Sequence, residues 1–171
     1  MKRLPVFYCF ITLCGCLLLA ATGIKAQDSL ANSYTDISKV LFVKSLSKTV
    51  SSGFIEGNES VESKFSQLKF QPGVTFKGVI PTDFVTKKVV LKFNLFNPAD
   101  TAIPVCFFPG FYYDHIQLYR QEGMMLKKLP VVLPNNPDSI GFRQLILAGK
   151  DSATIIAELH PIKTYLNTIR P

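Results

Sequence analysis

The sequence predicts an all-β fold, an antiparallel β-sandwich of the jelly-roll type that is preceded by a signal peptide. About seven or eight short segments rich in β-branched and aromatic residues recur every 8 to 15 residues or so, and turn-forming residues separate them. No segment has the periodicity of a convincing amphipathic helix. Many short strands are typical of sandwiches and barrels, and 171 residues are enough for one domain with a sizeable core.

Residues 1–26 have the organisation of a signal peptide. Lys2 and Arg3 form a basic start, the stretch 4–24 is uncharged, and Ala26 offers a small residue for cleavage. An uncleaved anchor is an alternative, because the uncharged stretch is long enough to span a bilayer. A lipoprotein cut before Cys16 is another alternative. All three interpretations export the rest of the chain, so we expect a periplasmic or cell-surface protein, membrane-associated if it is part of a longer receptor.

The charge and cysteine content of the exported part bear on its partners and its stability. With the three basic residues of the leader removed, 16 Lys and Arg stand against 12 Asp and Glu, a net charge of +4. These cations are scattered, whereas a nucleic-acid groove needs clustered cations, so we predict no nucleic-acid partner. Cys106 is the single cysteine beyond the leader, which excludes an intramolecular disulfide. The fold must therefore be held by its own core.

Two segments precede the regular β pattern. Residues 27–58 are predicted to be loosely ordered with one strand, and residues 59–171 to form the β-sandwich domain. The strand is predicted over 39–46, KVLFVKSL, because this run is β-branched and aromatic. The stretch 51–67 is rich in Ser, Gly and Asn and is predicted to be a loop with at most one helical turn.

The first clear strand is KKVVLKFNLFN, where apolar and polar residues alternate. One face carries the apolar residues Val89, Leu91, Phe93 and Leu95. The other face carries Lys92 and Asn94, as in a half-buried strand. Asn97 and Pro98 follow as a turn, in which Asn97 can bond its own backbone.

The next strand is IPVCFF, where Pro104 indicates an edge or a bulge. Ile103, Val105 and Phe107 are predicted to face the core, with Cys106 and Phe108 pointing the other way.

The remaining segments continue the β pattern. In DHIQLYRQ the residues Ile116 and Leu118 alternate with Gln117 and Tyr119, and we expect Tyr119 to be half exposed. A corner at Gly123 precedes a strand in MLKKLPVVL, and PNNPDSIG is predicted to be a long polar loop. FRQLIL and SATIIAEL are predicted as two strands joined by a tight turn.

The residues that could carry catalysis do not form a recognisable constellation. His115 and His160 are the only histidines, and Asp114 and His115, as neighbours on a strand, point to opposite faces. Cys106 lies in an apolar run that does not favour a thiolate. The sequence has no nucleophile elbow, zinc-protease motif, phosphate loop or dinucleotide fingerprint. We therefore predict no enzyme, no metal and no cofactor, although paired carboxylates for glycoside hydrolysis stay open.

Four residues are candidates for ligand binding: Phe111, Tyr112, Tyr113 and Arg143. The three aromatic residues lie in a connection between strands, where flat rings with polar tips suit sugars or peptides. Alternatively, they close the end of the sandwich. Arg143 could present its guanidinium to a carboxylate or to sugar hydroxyls, or pair with Asp114 or Glu122.

The order of these segments resembles a known family. Across 63–171, the strand VVLKFNLFN, a polar turn, YYDHIQLYR, GFRQLIL and SATIIAEL resemble the extracellular domain of bacterial receptors of the 7TM-DISM type, second variety. The best markers are Asn97, the run 114–119 and Gly141-Phe142-Arg143. Such domains resemble carbohydrate-binding jelly rolls and precede seven transmembrane helices, commonly followed by a histidine kinase. The resemblance implies a periplasmic sensory domain that binds a small molecule, such as a carbohydrate, and signals to the membrane part of a two-component receptor.

Two departures from the family pattern qualify this expectation. The chain has no tryptophan, which the family often carries in the first of these strands. No transmembrane bundle follows the last strand, and the abrupt end at Pro171 leads us to expect a fragment whose sandwich lacks its last strand. The alternatives are a freestanding secreted sandwich that binds glycans or proteins, and an exported hydrolase with an unrecognised site.

Overall fold

The computed structural model describes residues 33–74, 82–84, 86–111, 113–133 and 141–162, and these residues confirm the predicted all-β, sandwich-like fold. The strands are β1 (Tyr34–Asp36), β2 (Ser51–Glu56), β3 (Gln71–Pro72), β4 (Lys87–Phe96), β5 (Ile103–Phe107), β6 (Tyr113–Glu122), β7 (Met125–Lys128), β8 (Arg143–Leu147) and β9 (Ser152–Pro161). The helical elements within the described ranges are one turn of α-helix, α1 (Val61–Lys64), and the 3₁₀ turns Ile37–Lys39, Phe65–Gln67 and Thr82–Phe84.

The described strands form two sheets. The larger sheet has seven strands in the order β3-β2-β4-β9-β6-β7, and β1 pairs in parallel with the last residues of β4. The smaller sheet pairs β5 with β8 in antiparallel fashion, and Val132 adds an isolated bridge to Gln144 of β8. β4 and β9 pair from Val89–Leu159 to Phe96–Ser152, so these two long strands form the centre of the larger sheet.

The main core lies between the two sheets. The inward face of β4 carries the predicted residues Val89, Leu91, Phe93 and Leu95, none more than 5% exposed. The smaller sheet contributes Phe107, whose ring stacks on Phe93 with 4.9 Å between the centroids. Burial of these side chains stabilises the sandwich by the removal of apolar surface from water, at about 25 cal/mol for each Å².

Strand β5 has the predicted division of faces. Ile103, Val105 and Phe107 pack into or against the core. Pro104 and Cys106 are exposed on the opposite face. Among the described residues β5 pairs only with β8, which confirms the edge position predicted from the missing amide of Pro104.

The outer face of the larger sheet is also covered, contrary to the prediction that strand β4 is half-buried. The segment 61–70 packs over this face and forms a second apolar cluster with residues of β2, β4, β6, β7 and β9. The cluster contains Ile55, Val61, Val90, Tyr119 and Ile156, with Phe65, Leu68, Phe70 and Leu126 packed against it. Tyr119 is only 3% exposed, so the expectation of a half-exposed tyrosine is wrong. The polar face of β4 is partly buried for the same reason, with Asn94 at 6% exposure.

The prediction of a loop over 51–67 with at most one helical turn is wrong for most of its length. Ser51–Glu56 is strand β2, residues 57–60 form a turn, and the α-helical turn Val61–Lys64 is followed directly by the 3₁₀ turn Phe65–Gln67. One of the small residues that led to the prediction of a loop, Gly53, instead allows close packing against β2. A Cβ atom on Gly53 would lie 3.1 Å from the Lys69 carbonyl oxygen and 3.3 Å from a methyl carbon of Leu68. The small residue in β2 therefore makes room for the covering segment.

The predicted strand over 39–46 is also wrong. The described structure has a 3₁₀ turn at Ile37–Lys39 and no strand from Val40 to Val50. β1 and β2, on either side of this segment, already pair with the same edge of β4. The intervening residues thus find this edge of β4 already occupied, despite their β propensity.

Asn97 holds the turn after β4, as predicted, and also ties it to the smaller sheet. The side chain is fully buried. Its Nδ2 donates to the carbonyl oxygens of Thr101 at 2.9 Å, Leu147 at 3.1 Å and Ala148 at 2.8 Å, and its Oδ1 accepts from the amide of Ala99 at 3.1 Å. The turn after β8 approaches so closely that a Cβ atom on Gly149 would lie 2.1 Å from the Asp100 carbonyl oxygen. One side chain therefore holds two turns together.

The other connections between strands lie where the sequence predicted them, but one of them joins two different sheets. β6 and β7 form a hairpin that turns at Gly123, which has a φ of 62°. β8 and β9 are joined by the predicted tight turn, but they belong to different sheets. The predicted signal peptide, Tyr112 and most of the polar loop lie outside the described residues. Within the described ranges, no helix has the length and hydrophobicity to cross a membrane.

Candidate functional site: an apolar cleft at the edge of the sandwich

A cleft of about 830 Å³ lies between the N-terminal segment 35–47 and strand β5. Core side chains line it, among them Phe93, Leu95, Val105, Phe107 and Leu145. The polar groups along it are few and include Thr35, Lys44, Ser45 and Ser47. Small-molecule sites are typically concave, mostly apolar and of about 300–1,000 Å³, with a few polar groups that orient the ligand. The cleft has the dimensions and the lining of such a site.

The N-terminal wall of the cleft is fixed at two points. Ile37 and Leu46 are buried in the core at 4% and 9% exposure. At the first point, the amide of Val40 donates to the Ile37 carbonyl at 3.2 Å. At the second, the Leu46 carbonyl accepts from the amides of Thr49 and Val50, each at 2.8 Å. Between Ile37 and Leu46, residues 40–45 line the cleft and are not packed into the core.

Aromatic residues close one end of the cleft. Phe108 and Phe142 both line it, and their rings stack with 4.6 Å between the centroids. Phe111 packs edge-on against Phe108 at 5.0 Å and is 51% exposed. The predicted aromatic connection therefore reaches the cleft through Phe108, a residue that the sequence analysis had not placed in the site.

The other predicted aromatic residues differ from Phe111. Tyr113 is half-buried and packs against the main core, and burial raises the pKa of its hydroxyl. Tyr112 lies outside the described residues. Neither Phe111 nor Tyr113 is among the residues that line the cleft. Their role as ligand contacts remains a prediction.

The guanidinium group of Arg143 donates hydrogen bonds to two backbone carbonyl groups. Its Nε donates to the Ile116 carbonyl at 3.0 Å, and its Nη1 donates to the Phe142 carbonyl at 2.8 Å. Ion pairs in the described part of the chain do not join Arg143 to Asp114 or Glu122, so that expected pairing is wrong; Glu122 pairs with Lys127 instead. Burial lowers the pKa of the guanidinium. Arg143 thus stabilises the β6 backbone beside the aromatic end of the cleft, and direct contact with a ligand stays a prediction.

A second group of polar residues lies under α1, on the outer face of the larger sheet. Glu158 of β9 is 5% exposed and accepts from three side chains. Lys88 Nζ lies 2.9 Å from its Oε1, the Tyr119 hydroxyl donates to its Oε2 at 2.8 Å, and His160 Nε2 lies 3.0 Å from its Oε1. The His115 ring packs edge-on against the His160 ring at 5.0 Å.

The electrostatics of this group favour a charged Glu158. Burial opposes the negative charge, but the hydrogen bonds from His160, Lys88 and Tyr119 outweigh burial and lower the pKa of the carboxyl. Burial and the neighbouring Glu158 raise the pKa of Tyr119. Burial and the nearby His160 lower the pKa of His115. A carboxylate that accepts three hydrogen bonds is a poor base, so the arrangement fits stabilisation of the sheet better than proton transfer.

Sequence reasoning missed the Glu158 group because its members are brought together by strand pairing. Val90 pairs with Glu158, and His115 pairs with His160. One signal was available, since charged residues inside the long strands KKVVLKFNLF and SATIIAELHP are rare unless they are paired. The partners themselves could not be read from either strand alone. In the described ranges, no group of three or more His, Cys, Asp and Glu residues could hold a metal ion.

Comparison of the chain with protein-family models, with curated proteins and with solved structures found no match. The fold assignment therefore rests on the structure described above.

Proposed function

We propose that the chain is an exported ligand-binding module, the sensory input domain of a membrane receptor of the sensor histidine kinase type, and that its ligand occupies the apolar cleft. The observation that carries the proposal is the cleft itself, which joins the N-terminal segment to the edge of the smaller sheet. The leader-like residues 1–26 and the family-like order of strands in 63–171 support the export and receptor parts of the proposal.

The lining of the cleft indicates the chemistry of the ligand. Phenylalanine, leucine and valine side chains dominate the lining, and the polar groups gather on the N-terminal wall, at Lys44, Ser45 and Ser47. A molecule with an apolar or aromatic body and one polar or anionic end suits this distribution better than a sugar, which needs partners for hydroxyl groups on several sides. A carbohydrate thus becomes the alternative that the binding test must include.

Ligand binding in this position offers a route to signalling. One wall of the cleft belongs to residues 35–47, which begin in β1 and run towards β2, and the other belongs to β5 of the smaller sheet. A ligand that contacts both walls would fix their separation and favour one arrangement of the two. The input domain of a receptor needs a difference of this kind between its bound and free states.

The binding claim is tested by thermal shift with a panel of single-chain amphiphiles, aromatic acids and sugars. Cys106→Trp adds a large side chain to an exposed position that lines the cleft, so it should weaken a cleft ligand tenfold or more while the core stays intact. The matched control is Ile146→Trp, at a 68% exposed position of the neighbouring strand β8. Stabilisation that survives Cys106→Trp would place the ligand elsewhere, and a sugar as the only binder would restore the carbohydrate alternative.

The receptor claim is tested separately, by fractionation of cells that express the complete gene with a C-terminal tag. We expect the tagged product in the membrane fraction. Recovery of the product only from the periplasm or the medium would favour the freestanding binding module.

A further inference from the structure

We propose that the segment 40–45 is a membrane-docking loop, which inserts Leu41, Phe42 and Val43 into the surface of an anionic bilayer. This inference goes beyond ligand binding in the cleft, although Leu41, Phe42 and Val43 also belong to the N-terminal wall of the cleft.

The first observation is the exposure of three consecutive large apolar side chains. Leu41 is 86% exposed, Phe42 is 96% exposed and Val43 is 93% exposed. Elsewhere in the described residues, Met124 and Met125 are 74% and 73% exposed, and residues 131–133 are exposed by 53%, 41% and 56%. Exposed apolar side chains that are adjacent in space mark surfaces for partners or membranes. Residues 41–43 are therefore the most prominent apolar projection in the described part of the chain.

The second observation is that the loop is held at both of its ends. Ile37 and Leu46 are buried on either side of it, and backbone hydrogen bonds from Val40, Thr49 and Val50 fix the two anchor points. A loop that is anchored in this way presents its tip without the ordering cost of a free segment. The anchors explain how apolar side chains stay directed outward instead of joining the core.

The third observation is the charge around the tip. Lys39, Lys44 and Lys48 lie within or beside the loop, and the range 37–50 contains no acidic residue. Lys39 is paired with Asp36, but ion pairs among the described residues involve neither Lys44 nor Lys48. Lysines next to an apolar tip can contact anionic lipid headgroups while the tip enters the layer beneath.

A bilayer suits this surface better than a protein partner. Stable protein interfaces bury about 800 Å² on each side, usually from some 20 to 30 residues. Three side chains at the end of a loop provide only a small part of that area. A short apolar projection with flanking lysines is sufficient for reversible attachment to a membrane surface, where apolar burial and attraction to headgroups add together.

The chain has no tryptophan, so Phe42→Trp in the purified protein provides a single fluorescent reporter at the tip. We expect its emission to shift to the blue, and the protein to co-sediment, with phosphatidylcholine vesicles that contain phosphatidylglycerol and not with pure phosphatidylcholine vesicles. The matched control is Met124→Trp in the β6–β7 turn, which is 74% exposed and lies at the opposite edge of the larger sheet. Its emission should not change on addition of either vesicle.

Substitutions then distinguish the contribution of the lysine charges to vesicle binding from that of the apolar tip. Lys44→Gln with Lys48→Gln should weaken vesicle binding about 25-fold, which is fivefold for each lysine. Lys69→Gln with Lys128→Gln removes the same charge from exposed positions elsewhere and should leave binding unchanged. Phe42→Ser should weaken binding more than tenfold, and its exposed position leaves the fold intact.

Four outcomes would overturn the proposal. Blue-shifted emission of Phe42→Trp without vesicles would mean that the tip is covered by its own cleft or by a second copy of the chain. Equal binding to both kinds of vesicle, or equal loss in the two lysine variants, would remove the role of Lys44 and Lys48. Failure of the wild-type protein to co-sediment with phosphatidylglycerol vesicles would refute membrane docking directly.

Discussion

Lys88 and Glu158 form an ion pair on the covered outer face of the larger sheet, with 2.9 Å between Lys88 Nζ and Glu158 Oε1. The side chains are 12% and 7% exposed, so both charges have lost most of their contact with water. Lys88 also donates to the Glu59 carbonyl in the loop before α1. The pair thus connects β4, β9 and the segment that covers them. Such a pair adds less by its own attraction than it costs to leave either charge without its partner.

Glu158→Gln is expected to lower the free energy of unfolding by about 3 kcal/mol, because Lys88 then loses its carboxylate in a place that water barely reaches. Urea denaturation followed by circular dichroism measures the change. The control is Glu122→Gln, which breaks the exposed pair with Lys127 and should cost less than about 0.5 kcal/mol. Equal effects in the two variants would show that the Lys88–Glu158 pair is solvated.

The same pair predicts a loss of stability in acid. The pKa of Glu158 in the folded chain lies below its ordinary value of 4.5. A lowered pKa contributes stability that is present above 4.5 and is lost as the pH falls through the folded-state pKa. Asp36, Glu59 and Asp151 also have lowered pKa values and act in the same direction.

The difference in the free energy of unfolding between wild type and Glu158→Gln isolates the contribution of Glu158 to the loss of stability in acid. Denaturation midpoints of the two proteins should be measured from neutral to acid pH. We expect the difference between the wild-type and Glu158→Gln midpoints to decrease as the pH falls below 4.5. A difference that stays constant over this range would mean that the pKa of Glu158 is the same in the folded and unfolded chain.

Asn97 is expected to be the most sensitive polar residue of the turns. Asn97→Ala leaves the carbonyl groups of Thr101, Leu147 and Ala148 without their shared donor and should cost about 3 kcal/mol. Asn97→Asp should cost more, because a carboxylate would face the same three oxygen atoms. Asn58→Ala, at an exposed turn before α1, is the control and should change stability little. Near-neutral results at both positions would contradict the bridging role of Asn97.

The sequence predicted those features of the fold that depend on a single strand, such as its buried face and its position at an edge. The alternation of Val89, Leu91 and Phe93 predicted the inward face of β4, and Pro104 predicted the edge position of β5. These features depend on residues that are neighbours along the chain. Strand alternation has a period of two, so one buried face is visible in any strand that has it.

Three features could not be predicted because they depend on pairing between distant segments. The apolar cover over the outer face made Tyr119 buried, and nothing within β6 indicates a cover. The loop 40–45 has the composition of a strand, but β1 and β2 on either side of it already occupy the adjacent edge of β4. The cleft arises from the separation between this loop and β5, and a separation has no sequence pattern.

The alternation of core-facing and exposed residues on β5 predicts the reactivity of Cys106, the one cysteine beyond residue 26. Cys106 is exposed, whereas the adjacent Phe107 is 5% exposed and faces the core. Cys106 in the native protein should therefore react fully with a thiol reagent without denaturant. Its position along the cleft means that a cleft ligand should slow this reaction.

The matched control moves the thiol by one residue along the same strand. In Cys106→Ser with Phe107→Cys, the thiol points into the core and should react only after unfolding, with circular dichroism used to verify that the variant is folded. Protection of Cys106 in the native wild type, or equal reactivity at the two positions, would show that β5 does not present alternate faces to core and solvent. The sandwich edge that bounds the cleft would then have a different register, since a shift of one residue exchanges the two faces of a strand.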